Sequence, residues 1–305
     1  MWADKRAGQH FSNSPTGFGK LHQWLSRRLK AEQVHVCLEA TGRYGEAVAE
    51  YLYAHGYTVS VVNPARIQGY ADSQLQRNKT DKLDAALIAD FCRTQHPPAW
   101  TPPSPEIRQL QQLVRHLDDL TEARQQARNR LGVPGQAQPV TDHLNAPVAR
   151  LETQIAQTKH AVTDLLDQHP HLRQQKDLLR SIPGLGDLTI GKLSAECRDL
   201  TAFRDVRQLV AFAGLNPRHH TSGSSIHKKP TISRTGSASL RAALYMPALT
   251  AMRFNPVLRA FADRLRSRGV VGKALVVAVM RKLLHLVFGV LKSGQPFDPN
   301  WAIAA

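Results

Sequence analysis

The segment from His96 to Pro105, HPPAWTPPSP, holds five prolines in ten residues. Proline lacks a backbone N–H and clashes with the preceding helical turn, so neither a helix nor a central strand crosses such a run. The 305-residue chain is therefore divided here, and its two sides carry different patterns. On the N-terminal side, Gln33–Glu39 (QVHVCLE) alternates and is rich in valine, as a strand requires, and Thr41-Gly42 ends it. Tyr44–His55 then sets Val48, Tyr51 and Leu52 at helical spacing, Gly56 caps that helix, and Tyr57–Val62 (YTVSVV) is a second strand. Asn63-Pro64 turns into another helix, and Asp81–Thr94 is an amphipathic one. Strand, helix and strand with short connections predict a parallel pair covered by helices, an α/β body over residues 1–100.

Beyond the prolines, Ile107–Leu131 keeps Leu110, Leu113, Val114, Leu117 and Leu120 in a narrow apolar stripe among many charges. A Gly/Pro/Gln break at Gly132–Pro139 separates it from a second helix over about Leu144–Gln168. The pattern predicts a two-helix arm or coiled coil over 101–170, serving as a spacer or as a dimerising or nucleic-acid-guiding element. Residues 171–305 read as mainly helical, apart from a polar stretch between Arg218 and Ser233.

Charge separates the same regions. Residues 1–100 hold 12 basic and 9 acidic side chains, 101–200 hold 12 of each, and 201–305 hold 16 basic and 3 acidic. The last third thus carries +13 of the formal +16. Such a concentration repels itself unless a polyanion neutralises it, and nucleic acid is the expected partner. Three scattered cysteines (Cys37, Cys92, Cys197) exclude a disulfide framework and a Cys-rich zinc site, and fit a reducing cytosol. No signal-peptide pattern opens the chain and no apolar run is expected to come near the ~20 residues a membrane span requires.

Three constellations carry chemistry. Glu39 ends a predicted strand, and Asp81 and Asp84 stand three apart at the start of a helix, which projects both from one face. Clustered carboxylates repel unless a cation lies between them, and Mg²⁺ prefers oxygen ligands. The plainer alternative makes Thr80 an N-cap and the two aspartates partners of the helix macrodipole. Second, Ser181–Gly186 (SIPGLG) reads as a tight turn between two helices, where backbone N–H groups near Gly184 and Gly186 can hold a DNA phosphate without reading sequence. Third, Arg218–Ser225 (RHHTSGSS), continuing through His227, Lys228 and Lys229 to Arg234, is expected to be a flexible hydroxyl loop crowded by cations. Those cations stabilise phosphate oxygens and favour a reactive serine, or bind phosphate without covalent chemistry. Adjacent His219 and His220 point apart and make a poor metal pair.

The motifs Leu38–Gly42 (LEATG), Asn78–Ala85 (NKTDKLDA), and Ala213–Arg218 (AGLNPR) leading into Ser222–Ser225 (SGSS) occur in this order. With Val62-Asn63-Pro64, Ser181–Gly186, Leu240–Pro247 (LRAALYMP) and Leu291–Phe297 (LKSGQPF), nearly the whole chain resembles the DEDD transposases of the insertion-sequence-110 family, the RNA-guided recombinases of bacterial mobile elements. The resemblance implies an RNase H/RuvC-like N-terminal domain, a coiled-coil arm, and a mainly α C-terminal transposase domain with a helix-hairpin-helix-like motif. It places the second, third and fourth acidic positions on Glu39, Asp81 and Asp84 as Mg²⁺ ligands, and the nucleophile on Ser222, with Ser224 and Ser225 as fallbacks. It further implies DNA ends and a target as substrates, a bridge RNA, a dimer or tetramer, and a cytoplasmic, nucleoid-associated protein without a membrane anchor. Arg218, Lys228, Lys229 and Arg234 are the expected phosphate contacts.

One departure stands out. The family's first Asp lies on an apolar strand of the type Ile-Gly-Ile-Asp, whereas this sequence runs Met1-Trp2-Ala3-Asp4-Lys5-Arg6 and soon reaches Phe11–Phe18 (FSNSPTGF). Asp4 has no apolar run before it and is not assigned as a ligand. The sheet is expected to lack its first, central strand, through a late start codon or a decayed element, which weakens metal affinity. The alternatives are a junction-resolving nuclease using metal-activated water, or an inactive nucleic-acid-binding remnant.

Overall fold

A computed structural model describes residues 7–40, 42–75, 80–222, 226–233 and 235–300, with the backbone alone at 43, 81, 82, 218–222 and 226–230. The chain forms two compact units, 1–102 and 103–305, which meet in sequence within the proline run.

In the first unit, helix α1 (Pro15–Ser26) starts at Ser14, whose hydroxyl accepts from Gly17 N–H. Strand β1 (His35–Glu39) pairs in parallel with β2 (Thr58–Val62), in the register His35 to Thr58 through Glu39 to Val62. The crossover is α2 (Glu46–Ala54), preceded by a 3₁₀ turn at Gly42–Gly45. This is the parallel pair the spacing predicts. Alternate side chains of β1 serve two layers. Val36 and Leu38 pack with Ala49, Leu52 and Val59 under α1 and α2, while Cys37 packs with Val62, Ile67 and Phe91 under α3 (Pro64–Ser73) and α4 (Asp81–Gln95).

The proline run does more than interrupt the chain. Trp100 N–H donates to the Val59 carbonyl at 2.7 Å, and the buried Ser60 hydroxyl donates to the Pro97 and Pro98 carbonyls at 3.0 and 2.8 Å. The segment lies along the outer side of β2. Two strands make up this sheet among the described residues. Asp4 lies outside the described residues.

In the second unit, α5 (Pro105–Leu131) and α6 (Gln138–Gln168) pack as an antiparallel pair through the expected stripe. Leu110 and Val114 meet Val162, Leu165 and Leu166, and farther along Leu117 and Leu120 meet Ile155. Helix α6 begins six residues before the predicted boundary. Pro139 sits in its first turn, where a missing N–H costs nothing, and Pro147 is carried inside the helix. The pair shares its core with Leu172 of α7 (Pro170–Arg180) and Ala195 of α8 (Asp187–Cys197). A larger core unites α8, α9 (Val206–Phe212), α10 (Ala238–Phe254), α11 (Pro256–Ser267) and α12 (Gly272–Ser293).

Two expectations are corrected here. Helix α12 is 22 residues long, with a window of mean hydropathy 2.0, so an apolar run of membrane-spanning length does exist. Lys273, Arg281, Lys282 and Lys292 interrupt it in sequence. Leu275, Val279, Leu283, Leu284 and Val287 are spent on the unit's own core, as in a buried helix of a globular body. The polar stretch after Arg218 is a β-hairpin, not a loop. Strand β3 (Pro217–Ser222) pairs antiparallel with β4 (Ile226–Ile232). Thr221, Ile226, Thr231 and Ile232 are β-branched residues of the kind that favour strands.

Candidate functional site

The acidic constellation is assembled from β1 and α4. Period-two alternation puts Glu39 on the same face as Cys37, toward α4. Thr80 caps α4, its hydroxyl accepting from Leu83 N–H at 3.3 Å, so the N-cap half of the plainer alternative holds. The helix runs opposite to β1. A groove of about 560 Å³ between them is lined by Glu39 and Ala85 toward one end, and by His35, Cys92 and His96 toward the other. Glu39 and the residue following Asp84 thus share one end. Both Glu39 and Asp84 are half-buried, and neither carboxylate has a hydrogen bond or ion pair among the described residues. Half-buried carboxylates without a partner suit a hard cation with oxygen ligands. The Asp81 side chain lies outside the described residues. Among the described ones no group of three His, Cys, Asp or Glu is gathered for a metal.

The other end of the groove has different chemistry. Burial pushes the Cys37 thiol up to about 12, helped by the neighbouring Cys92 thiol. The Cys92 thiol lies 3.9 Å from the His35 carbonyl, and burial also raises its pKa. Burial, then the charge of His96, lowers the pKa of His35, whose Nε2 lies 2.8 Å from the Ser60 hydroxyl. Both thiols at this end keep their protons and make poor cation ligands, so a hard cation suits the Glu39 end better.

In the second unit, Ser222 is the last residue of β3 and pairs with Ile226. Gly223, Ser224 and Ser225, between the strands, and Arg234 lie outside the described residues. Arg218 pairs with Thr231 beside a register shift, His220 pairs with Lys228, and Lys229 follows on β4. The hairpin is held at its base. Ser233 N–H donates to the Asn216 carbonyl at 2.9 Å. Gly214, at φ +66°, and Gly236 cross so closely that a Cβ on Gly236 would lie 2.0 Å from the Phe212 carbonyl oxygen and 2.4 Å from Gly214 N. The Arg241 Nη1 donates to the Ala213 and Gly236 carbonyls at 3.0 and 2.9 Å, joining both feet of the hairpin. The Ser237 hydroxyl caps α10 through Leu240 N–H at 3.1 Å and donates to Glu196 Oε2 at 2.7 Å. Arg241, Glu196 and Gly236 carry no signal in the sequence at a single position, since their contacts are to distant carbonyls and a hydroxyl. Arg241 does stand in the LRAALYMP segment.

The Ser181–Gly186 segment is a tight turn between α7 and α8, with Leu185 N–H donating to the Ile182 carbonyl at 3.1 Å. Pro183 and Gly184 take its central positions, and Gly184 has φ +106°. The two glycines differ in purpose. A Cβ on Gly184 would lie 2.8 Å from Ala251 Cβ and 2.9 Å from its Cα, so this glycine admits α10. Gly186 is exposed, has open space around it and precedes α8 without a side-chain cap. Amides at the start of α8 are therefore left to an outside acceptor.

The small parallel sheet with acids at one end of a groove, and the serine hairpin clamped at its base, leave the class to sequence comparison, which gives a transposase. Residues 4–132 match the IS110-type DEDD model described as Transposase, and residues 176–263 match the model described as Transposase IS116/IS110/IS902 family. The chain is 34% identical over 290 residues to the pilin gene-inverting protein of Moraxella bovis, covering 94% of this chain and 89% of that protein. It is 24% identical over 261 residues to the transposase for insertion sequence element IS1111A of Coxiella burnetii, covering 77% and 70%. The chain belongs to the IS110 family of DEDD transposases. It is a transposase/recombinase, and members of this family generally use divalent metal ions.

Proposed function

We propose that the chain cleaves and rejoins DNA through a covalent link to Ser222. The Ser222 Oγ attacks a DNA phosphorus, the P–O bond to the departing strand breaks, and the hydroxyl proton ends on the leaving oxygen. Reversal by a different strand's hydroxyl restores the serine and joins new DNA, so phosphodiester bonds are conserved without an outside energy source. Arg218, Lys228, Lys229 and Arg234 would neutralise the phosphate oxygens as negative charge builds up on them. The observation that carries this reading is the clamp of Arg241, Gly214 and Gly236, which fixes the hairpin ending in Ser222 at its base. A positioned hydroxyl loses less entropy on reaction than one on a free loop.

Glu39, Asp81 and Asp84 would hold Mg²⁺, which when bound supplies Lewis-acid polarisation of the phosphodiester. That the Glu39 and Asp84 carboxylates have no hydrogen bond or ion pair among the described residues supports this, and the fit is to part of a site, since the family's first Asp is not assigned. A bridge RNA choosing the DNA sites, assembly as a dimer or tetramer through the α5–α6 arm, and a place on the bacterial nucleoid complete the proposal.

The test is covalent trapping. The purified protein is incubated with labelled element-end DNA, its guide RNA and Mg²⁺, then denatured and run on a gel. The wild type should give a protein–DNA adduct and Ser222→Ala none, with DNA binding unchanged. An undiminished adduct with Ser222→Ala removes this serine from the role. Cleavage without any adduct in the wild type favours hydrolysis by metal-activated water. Glu39→Gln and Asp84→Asn should each lower strand exchange by at least 100-fold, and EDTA should abolish it in the wild type. Full turnover in EDTA would dismiss the metal.

A further inference from the structure

We infer that the outer face of α11, together with the start of α12, is a track for the sugar-phosphate backbone of duplex DNA, continuous with the Ser181–Gly186 turn. This rests on DNA as the substrate proposed above. Residues 253–273 hold six basic side chains and one acid. The acid, Asp263, is already paired with Arg266 at 2.6 Å. Arg253, Arg259, Arg264, Arg268 and Lys273 are exposed and have no acidic partner among the described residues. A face kept only for solubility mixes both signs. Here the cations stand on one short stretch and repel each other until an anion arrives.

Packing makes this face continuous with the turn. Gly184 rests on Ala251 in the last part of α10. The fully buried Asn255 donates from Nδ2 toward the Pro183 carbonyl at 3.5 Å, while its Oδ1 accepts from Val257 and Leu258 N–H at 3.1 and 3.2 Å. One side chain thus ties the turn to the start of α11. The turn that leads into the uncapped beginning of α8 is packed on the corner between α10 and α11. From that corner α11 buries Leu258 and Ala262 and leaves Arg259 and Arg264 outside.

The dimensions suit a duplex. A 12-residue helix is about 18 Å long, and one DNA strand presents a phosphate every ~3.4 Å of axis, so the face spans about five phosphates. A single-strand track needs a row of exposed aromatic rings for stacking. This face has Phe254 at one end, beneath the Arg253 guanidinium at 5.5 Å, while the Phe261 ring is partly buried against the core.

The experiment measures binding of the full chain to a 30-base-pair duplex by fluorescence anisotropy across KCl concentration. The fourfold variant Arg253→Gln, Arg259→Gln, Arg264→Gln, Arg268→Gln is compared with a control of equal charge loss in the first unit, Lys20→Gln, Arg27→Gln, Arg28→Gln, Lys30→Gln. Each lost phosphate contact lowers the slope of log K against log[salt] by about 0.9. The inference expects the α11 variant to lose about 3.6 in slope and at least tenfold in affinity at physiological salt, and the control to lose under 1. Equal losses in both variants, or an unchanged slope in the α11 variant, overturn it. So does a loss confined to single-stranded RNA. Wild-type protein that does not bind duplex at all overturns the DNA reading itself, a separate outcome. If the fourfold variant melts well below the wild type, the pair Arg259→Gln, Arg268→Gln is used instead, with an expected slope loss of about 1.8.

Discussion

Gly184→Ala and Gly186→Ala change two glycines of one six-residue turn, and the structure assigns them very unequal costs. At Gly184 the backbone has φ +106°, a conformation that costs a residue with a side chain about 1–2 kcal/mol. The new methyl would also stand 2.8 Å from Ala251 Cβ, 2.9 Å from its Cα and 3.0 Å from its N. Two of those three atoms are backbone, so helix α10 would have to shift, at an overpacking cost of about 1–3 kcal/mol. The sum is about 3.5 kcal/mol, and for a unit of this size each kcal/mol lowers Tm by about 2–4 °C, giving a fall near 10 °C. Gly186 has an ordinary φ of −108° and nothing within 4 Å, so Gly186→Ala should cost about 0.5 kcal/mol and under 2 °C. Circular-dichroism melts of the full chain measure both. Adding Ala251→Gly to Gly184→Ala removes only the closest contact, so a double-mutant cycle should show a coupling of at least ~0.5 kcal/mol with incomplete rescue. A Gly184→Ala protein that melts within 2 °C of the wild type, or level with Gly186→Ala, would refute the assignment of this glycine to helix packing.

Two ionisable groups, the half-buried His285 and the core residue Cys197, give further checks. Burial, then the charges of Lys282 and Arg281, lowers the pKa of His285 below its ordinary 6.5. The unfolded chain therefore takes up the proton first as pH falls through 6.5, and stability declines on acidification. His285→Gln should flatten that decline between pH 6.5 and 5 in urea unfolding, and an identical slope would refute the assignment. Burial, then the charge of Glu196, pushes the Cys197 thiol up to about 12. The native thiol keeps its proton while the unfolded one ionises near 9, so the contribution is whole below pH 9 and is lost as pH rises toward 12. Cys197→Ala should lose less stability than the wild type from pH 9 to 10.5. Native Cys197 should also resist a disulfide reagent at pH 8, and rapid labelling would contradict its burial.

What the sequence made legible follows from how local each signal is. The β1–α2–β2 unit was readable because its period changes from two to 3.6 and back within thirty residues, and burial of alternate side chains then enforces the parallel pair. The α5–α6 stripe was readable for the same reason. The start of α6 was not, because prolines are poor boundary markers when a helix can place one in its first turn and carry another at Pro147. Polar composition misled at 218–232. Serine, histidine and lysine suggest a loop, yet a hairpin requires only backbone pairing and β-branched residues at intervals, and its polar surface does not betray it.

The site shows the same division between local and distant information. Glu39, Asp81, Asp84 and Ser222 stand out as candidates because each lies in a compact string of residues that a family resemblance can match. Arg241 and Glu196 do not, since their work is to reach across tens of residues to carbonyls and a hydroxyl at the hairpin's base. That distance matters for mechanism. The nucleophile proposed for Ser222 would be only as well placed as the feet of its hairpin, and these are fixed by a guanidinium shared between two carbonyls and by two glycines in backbone contact. Any side chain at Gly236 would force Phe212 and Gly214 apart before it touched the serine. Loss of strand exchange in such a variant, with DNA affinity retained, would follow from misplacement of Ser222 rather than from loss of charge.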